Sequence, residues 1–148
     1  MIHPRYLVFV AILLLLTGQS AFAQAKVFID ATASDRVGSR LAYAIKEGIR
    51  RSTGMSLADR EEDSLIGVSI VTLDPDRSDS GGNRTIYSVV WTARTLHSTP
   101  VTMYLTNSVG ICGVNRVASC ADGLVADTDA QATKVRGWIR NIVDRSKN

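Results

Sequence analysis

The chain has 148 residues, 45% hydrophobic and 21% charged, with 17 Lys and Arg against 14 Asp and Glu for a net charge of +3 at pH 7. That is a usual length for one domain and enough to bury a real core. Charges of both signs are interspersed, and without a run of Lys or Arg the linear sequence points to neither nucleic acid nor an anionic membrane surface.

Residues 1–23 read as a secretory signal peptide. Arg5 supplies the positive start, residues 7–16 are wholly apolar, and Ala21 and Ala23 place small side chains before Gln24. Ten residues of helix cover roughly 15 Å, about half of a hydrocarbon core, so a membrane span is disfavoured. No cysteine lies near the cut, which argues against a lipoprotein. Gln24 is the expected mature N-terminus, and cleavage removes Arg5. The expected organisation is a signal peptide over 1–23 and a single domain over 24–148, with no stable membrane anchor after cleavage.

The mature chain opens on a β-rich run, residues 26–30, followed by a small polar stretch. Val37, Leu41, Ile45 and Ile49 recur every four residues and predict an amphipathic helix. Ser34 or Asp35 is its expected N-cap. Its end is expected near residues 52–54, with Gly54 free to take the left-handed conformation. Residues 55–60 are read as a short extended piece and 60–63 as a charged turn. Residues 65–73 are nearly all apolar and β-branched and read as a central strand. A turn-forming loop over 77–84, a long strand over 85–95, a turn over 96–100 and a third strand over 101–106 follow. The last helix is expected to start at Thr128, with Gln131 completing a capping box. Its apolar face is read as Ala132, Val135, Trp138, Ile139, Ile142 and Val143. The elements predict an α+β two-layer sandwich: a mostly antiparallel sheet of four or five strands with two helices packed on it, in the order β-α-(β)-β-β-β-α.

The two cysteines, Cys112 and Cys120, have seven residues between them. In an exported protein they are expected to form a disulfide, which would contribute roughly 2–3 kcal/mol for a ring of that size. A metal pair and free thiols are the competing readings. The first lacks a second ligand pair, and the second lacks a CxxC motif. The stapled segment 110–123, with Asn115 and Arg116 at its tip, is the expected binding feature, because a pre-ordered loop loses little entropy on docking. Its competing reading is a connection held in place by the bridge.

Catalytic patterns are weak. His97 is the only histidine after residue 23 and sits in a turn, and no Gly-x-Ser-x-Gly elbow accompanies the serines. Asp30, Asp35, Asp59, Glu61, Glu62, Asp63, Asp74 and Asp76 offer carboxylates without a paired arrangement. Asp74, Asp76 and Asp79 alternate as in a calcium loop but lack its terminal glutamate. Residues 81–84 lack the Lys-Ser/Thr of a phosphate loop. Trp91 and Trp138 fall within apolar patterns and are read as core. No catalytic residue, metal or cofactor is expected.

Residues 27–73 resemble small α/β modules of bacterial periplasmic accessory proteins, such as the amino-terminal domain of the Tol–Pal protein TolB. The resemblance rests on a strand, an Asp-containing turn, the helix over 36–51, and the charged turn Asp59-Arg60-Glu61-Glu62-Asp63 leading into the strand 65–73. It implies a non-catalytic envelope protein that binds other proteins, and it transfers no site residue. The expected function is a periplasmic or secreted protein that binds a protein partner in the envelope. The alternatives are an inhibitor or immunity-type protein of an exported hydrolase, and a small cell-wall-directed enzyme.

Overall fold

The computed structural model describes residues 24–76, 82–95 and 101–147. The expected signal peptide, His97, Asp79 and Gly81 lie outside the described residues. Seven main elements follow in chain order: β1 (Ala25–Ala33), α1 (Arg36–Arg51), β2 (Met55–Leu57), β3 (Ile66–Leu73), β4 (Arg84–Arg94), β5 (Thr102–Gly113) and α2 (Val117–Arg145). The five strands form one sheet in the order β2-β1-β3-β4-β5. β1 runs parallel to both β2 and β3, and β3, β4 and β5 are antiparallel. The α+β sandwich expected from the sequence is present, with a mixed sheet.

Period-two burial along the strands explains the layering. Register places Val27 beside Ile66 and Ala93, Ile29 beside Val68 and Trp91, and Ala31 beside Ile70 and Val89. These side chains share one face and join a single core cluster with Leu41, Ile45 and Ile49 of α1 and Val117, Leu124 and Val135 of α2. Both helices therefore cover the same side. Each buried Leu or Ile contributes about 1.5–3 kcal/mol by leaving water. Trp91, 1% exposed, lies at the centre, and its indole Nε1 donates to Thr128 Oγ1 at 2.9 Å.

α1 begins where the sequence indicates. Asp35 is its N-cap, and Oδ1 accepts from the Gly38 amide at 2.7 Å. Asp35 Oδ2 also accepts from the hydroxyls of Thr72 (3.0 Å) and Thr85 (2.8 Å), both buried. One carboxylate thus ties the start of α1 to β3 and β4. The helix ends without a left-handed glycine: Ser52 is the C-cap, and its Oγ accepts from the amides of Gly54 and Met55. The Ser52 amide donates to Ile49 O, and the chain turns at an extended Ser52 rather than at Gly54.

α2 differs more. It starts at Val117, eleven residues before the expected cap, and runs for 29 residues. Thr128 is buried inside it, donating to Leu124 O at 2.7 Å while accepting from Trp91. The apparent capping box is a mid-helix polar contact. Burial along α2 stops at Val135, and every described residue from Trp138 onward is exposed. Trp138 is therefore not core.

Candidate functional site

β5 extends to Gly113, well past the expected end at Thr106, because residues 106–113 pair with 84–91 of β4 in unbroken register. A bulge precedes that stretch: Trp91 pairs Thr106 and Thr92 pairs Tyr104, leaving Leu105 unpaired. Cys112 is buried near the end of β5, Cys120 lies in the first turn of α2, and the two form a disulfide with a Cα–Cα distance of 6.3 Å. The segment 110–123 is thus a strand end, a 3₁₀ turn and a helix start, not a protruding loop. An inserted inhibitory loop, the feature the inhibitor reading needs, is not what these residues form.

Asn115 and Arg116 sit on the 3₁₀ turn and are exposed. Val114 N donates to Asn83 O at 2.7 Å, which pins that turn to the start of β4. Arg116 lines a cleft of about 260 Å³ between the sheet and α2, together with Tyr87, Ser108, Ser119 and Asp127. Gly110 permits the close approach there, since a Cβ would stand 2.4 Å from the Tyr87 hydroxyl. Asn115 lies outside this lining. The structure brings Arg116 to a polar groove that the sequence did not indicate, since Tyr87 and Asp127 meet it only through the strand register and the early start of α2.

The acidic candidates are dispersed. Asp30 and Asp59 are exposed. Glu61, Glu62 and Asp63 form a 3₁₀ turn, with Glu62 and Asp63 paired to Arg60 and Glu61 to Arg94. Asp74 accepts from the amides of Asp76 and Gly82, and Asp76 takes both arms of the Arg84 guanidinium at 3.1 and 2.7 Å. These oxygens face N–H donors rather than a common cation. The Arg84 hydrogen bond holds the Asp76 carboxyl below its ordinary range and raises the guanidinium in turn. Hydrogen bonding to Asp63 likewise raises Arg60. Asp76, Arg84 and Arg60 all belong to exposed ion pairs outside the clefts. Among the described residues no group of three or more His, Cys, Asp or Glu is placed to hold a metal.

The most distinctive surface is the uncovered face of the sheet where it meets β5. Leu73, Ile86 and Ile111 stand in one cross-strand row, and Val71, Ser88 and Val109 in the next. Val71, Leu73, Val109 and Ile111 are all more than half exposed, Ile111 by 65%. Tyr104, also exposed, donates to Asn107 Oδ1 at 2.6 Å farther along β5. β5 is an edge strand of twelve residues carrying no charge and no proline. Exposed edges are ordinarily protected by charge, proline or brevity. The opposite edge, β2, has three residues. The sequence pattern indicated a strand here but not its length or its edge position.

No family model and no curated protein matches the chain. Among solved structures, a single-residue variant of PelC, a dodecamer from Paraburkholderia phytofirmans, is similar over 74% of this chain and 91% of its own, at 12% identity and a TM-score of 0.42.

Proposed function

We propose that this is an exported, non-catalytic protein of the cell envelope that binds a protein partner, and that the partner lays an extended segment along β5. The observation that carries the reading is the twelve-residue uncharged edge strand continuous with an exposed apolar row. Unpaired backbone N–H and C=O groups along such an edge supply affinity to an added strand, and alternate side chains supply specificity. Val109 and Ile111 would meet the apolar side chains of that strand on the open face, where burial outside water drives association. Export is supported by the signal pattern at residues 1–23 and by the Cys112–Cys120 bridge, since disulfides persist in oxidising compartments. The choice between periplasm and external medium follows the source cell's envelope, and the periplasm is our reading.

The test is capture from an envelope extract by the chain from Gln24 carrying an N-terminal tag, beside a Val109→Lys/Ile111→Lys variant. Both positions are exposed, so the variant should keep its circular dichroism and melting temperature. One stoichiometric protein captured by the parent, and reduced at least about tenfold in the variant, supports the reading. Equal capture by both forms, or loss only with Arg116→Ala, refutes strand addition at β5.

A further inference from the structure

α2 outruns the sheet it covers. Val117, Ala121, Leu124, Thr128, Ala132 and Val135 are buried, and then the apolar stripe continues uncovered through Trp138, Ile139, Ile142 and Val143. These four follow Val135 at the three- and four-residue steps of one helix face. Ile142 is 67% exposed. From residue 136 to its end at Arg145 the projecting helix is about 15 Å long at the helical rise.

The charges around this stripe are organised. Five of the 17 basic side chains and one of the 14 acidic ones lie within residues 134–147. Helical spacing puts Lys134 and Arg145 along the Trp138 edge of the stripe. It puts Arg136, which also donates to Gly54 O at 3.4 Å, and Arg140 along the Val143 edge, and Asp144 on the opposite side; Lys147 follows just past the helix end. Lys134 Nζ lies 5.2 Å from the Trp138 ring centroid, so one boundary cation is already seated against the apolar face. A helix meant to pair with protein would be expected to carry both signs at these flanks. Cations on both borders, an aromatic within the stripe and the acid turned away match a lipid–water interface. There the apolar face enters the acyl boundary, and Lys and Arg reach the headgroups. The helix is not long and apolar enough to cross a membrane.

We propose that the end of α2 with the two residues that follow it, residues 134–147, is a peripheral docking site for an anionic lipid surface, the helix lying flat with Trp138, Ile139, Ile142 and Val143 inward. This is independent of the reading given to β5. A single short amphipathic segment gives reversible attachment, strengthened by anionic lipid and weakened by salt. The linear sequence concealed it because the cations are spaced between apolar residues, and four of the five gather only when the helix forms.

The test uses the chain from Gln24 with its disulfide closed, and vesicles of phosphatidylcholine with and without phosphatidylglycerol. Binding to the phosphatidylglycerol vesicles should be at least about tenfold tighter than to phosphatidylcholine alone and should weaken with added salt. Tryptophan emission should shift to the blue on binding, and Trp138→Phe should abolish that shift, because Trp91 is already buried. Ile139→Asp/Ile142→Asp should remove binding, and Arg145→Gln/Lys147→Gln should weaken it about tenfold or more. Absence of binding to anionic vesicles, or unchanged binding by the Ile139→Asp/Ile142→Asp variant, would overturn the proposal. So would lipid-free dimerisation in sedimentation that this same variant abolishes, since a second copy would then be the occupant.

Discussion

Replacing Asp35 by Ala should unfold the junction between α1 and the sheet more than loss of a helix cap alone predicts. The carboxylate accepts from Gly38 N and from the Thr72 and Thr85 hydroxyls. Losing an N-cap acceptor costs about 1 kcal/mol. Thr85 Oγ1 has Ile86 O at 3.2 Å and Leu73 O at 3.4 Å as replacement acceptors. The buried Thr72 hydroxyl bonds only to Asp35 among the described residues, and an unsatisfied buried hydroxyl costs about 1–3 kcal/mol. The expected loss for Asp35→Ala is therefore about 3 kcal/mol, or roughly 10 °C in Tm for a domain of this size. Asp35→Asn keeps an oxygen for Gly38 N and should lose only about 1 kcal/mol. Urea unfolding followed by circular dichroism, with the slope unchanged across the three proteins, gives the comparison. A loss below about 1 kcal/mol for Asp35→Ala, or equal losses for Ala and Asn, would refute the reasoning.

Three further outcomes are expected. Gly38→Ala should destabilise although Ala is the better helix former by about 1 kcal/mol, because its Cβ would stand 1.9 Å from Thr72 Oγ1; thermal melts decide the sign. Cys112→Ala/Cys120→Ala should lose about 2–3 kcal/mol in urea unfolding, and added reductant should move the parent protein, but not the variant, to the same lower stability. The Asp76 carboxyl, depressed by Arg84, should titrate below its ordinary range by NMR and return toward it in Arg84→Gln. Since the folded-state value is the lower one, the pair's contribution is present above the ordinary carboxylate range and lost as pH falls through the depressed value. Arg84→Gln should therefore reduce the dependence of stability on pH only at that acid end.

α1, β3 and much of β4 were legible because their patterns are local. Leu41, Ile45 and Ile49 repeat at the helical period, and Asp35 is a strong cap residue wherever it precedes such a repeat. Two cysteines in a chain with an export signal likewise suggest a bridge from sequence alone. The boundaries around that bridge were not legible. Residues 107–113 become strand by pairing with β4, a contact some twenty residues distant in the chain, and Gly110 is accommodated by Tyr87 across the ladder. Residues 117–127 become helix because Val117, Ala121 and Leu124 find the core. Thr128, which mimics a cap in sequence, is held inside by Trp91. The sequence puts Asn115 and Arg116 together at a loop tip, and only the fold separates them, turning Arg116 to a cleft and leaving Asn115 outside.

The stripe of α2 shows the division most clearly. Its period declares an apolar face from Ala132 to Val143, and sequence alone determines that this part of the face exists, whereas its extension back to Val117 appears only in the fold. Whether each part of it is covered depends on where the sheet ends, and the sheet ends near Val135. Periodicity specifies which side chains share a side, because that follows from local backbone geometry. What lies opposite them is decided by distant strands, so burial, edge position and the open face of β5 belong to the tertiary structure.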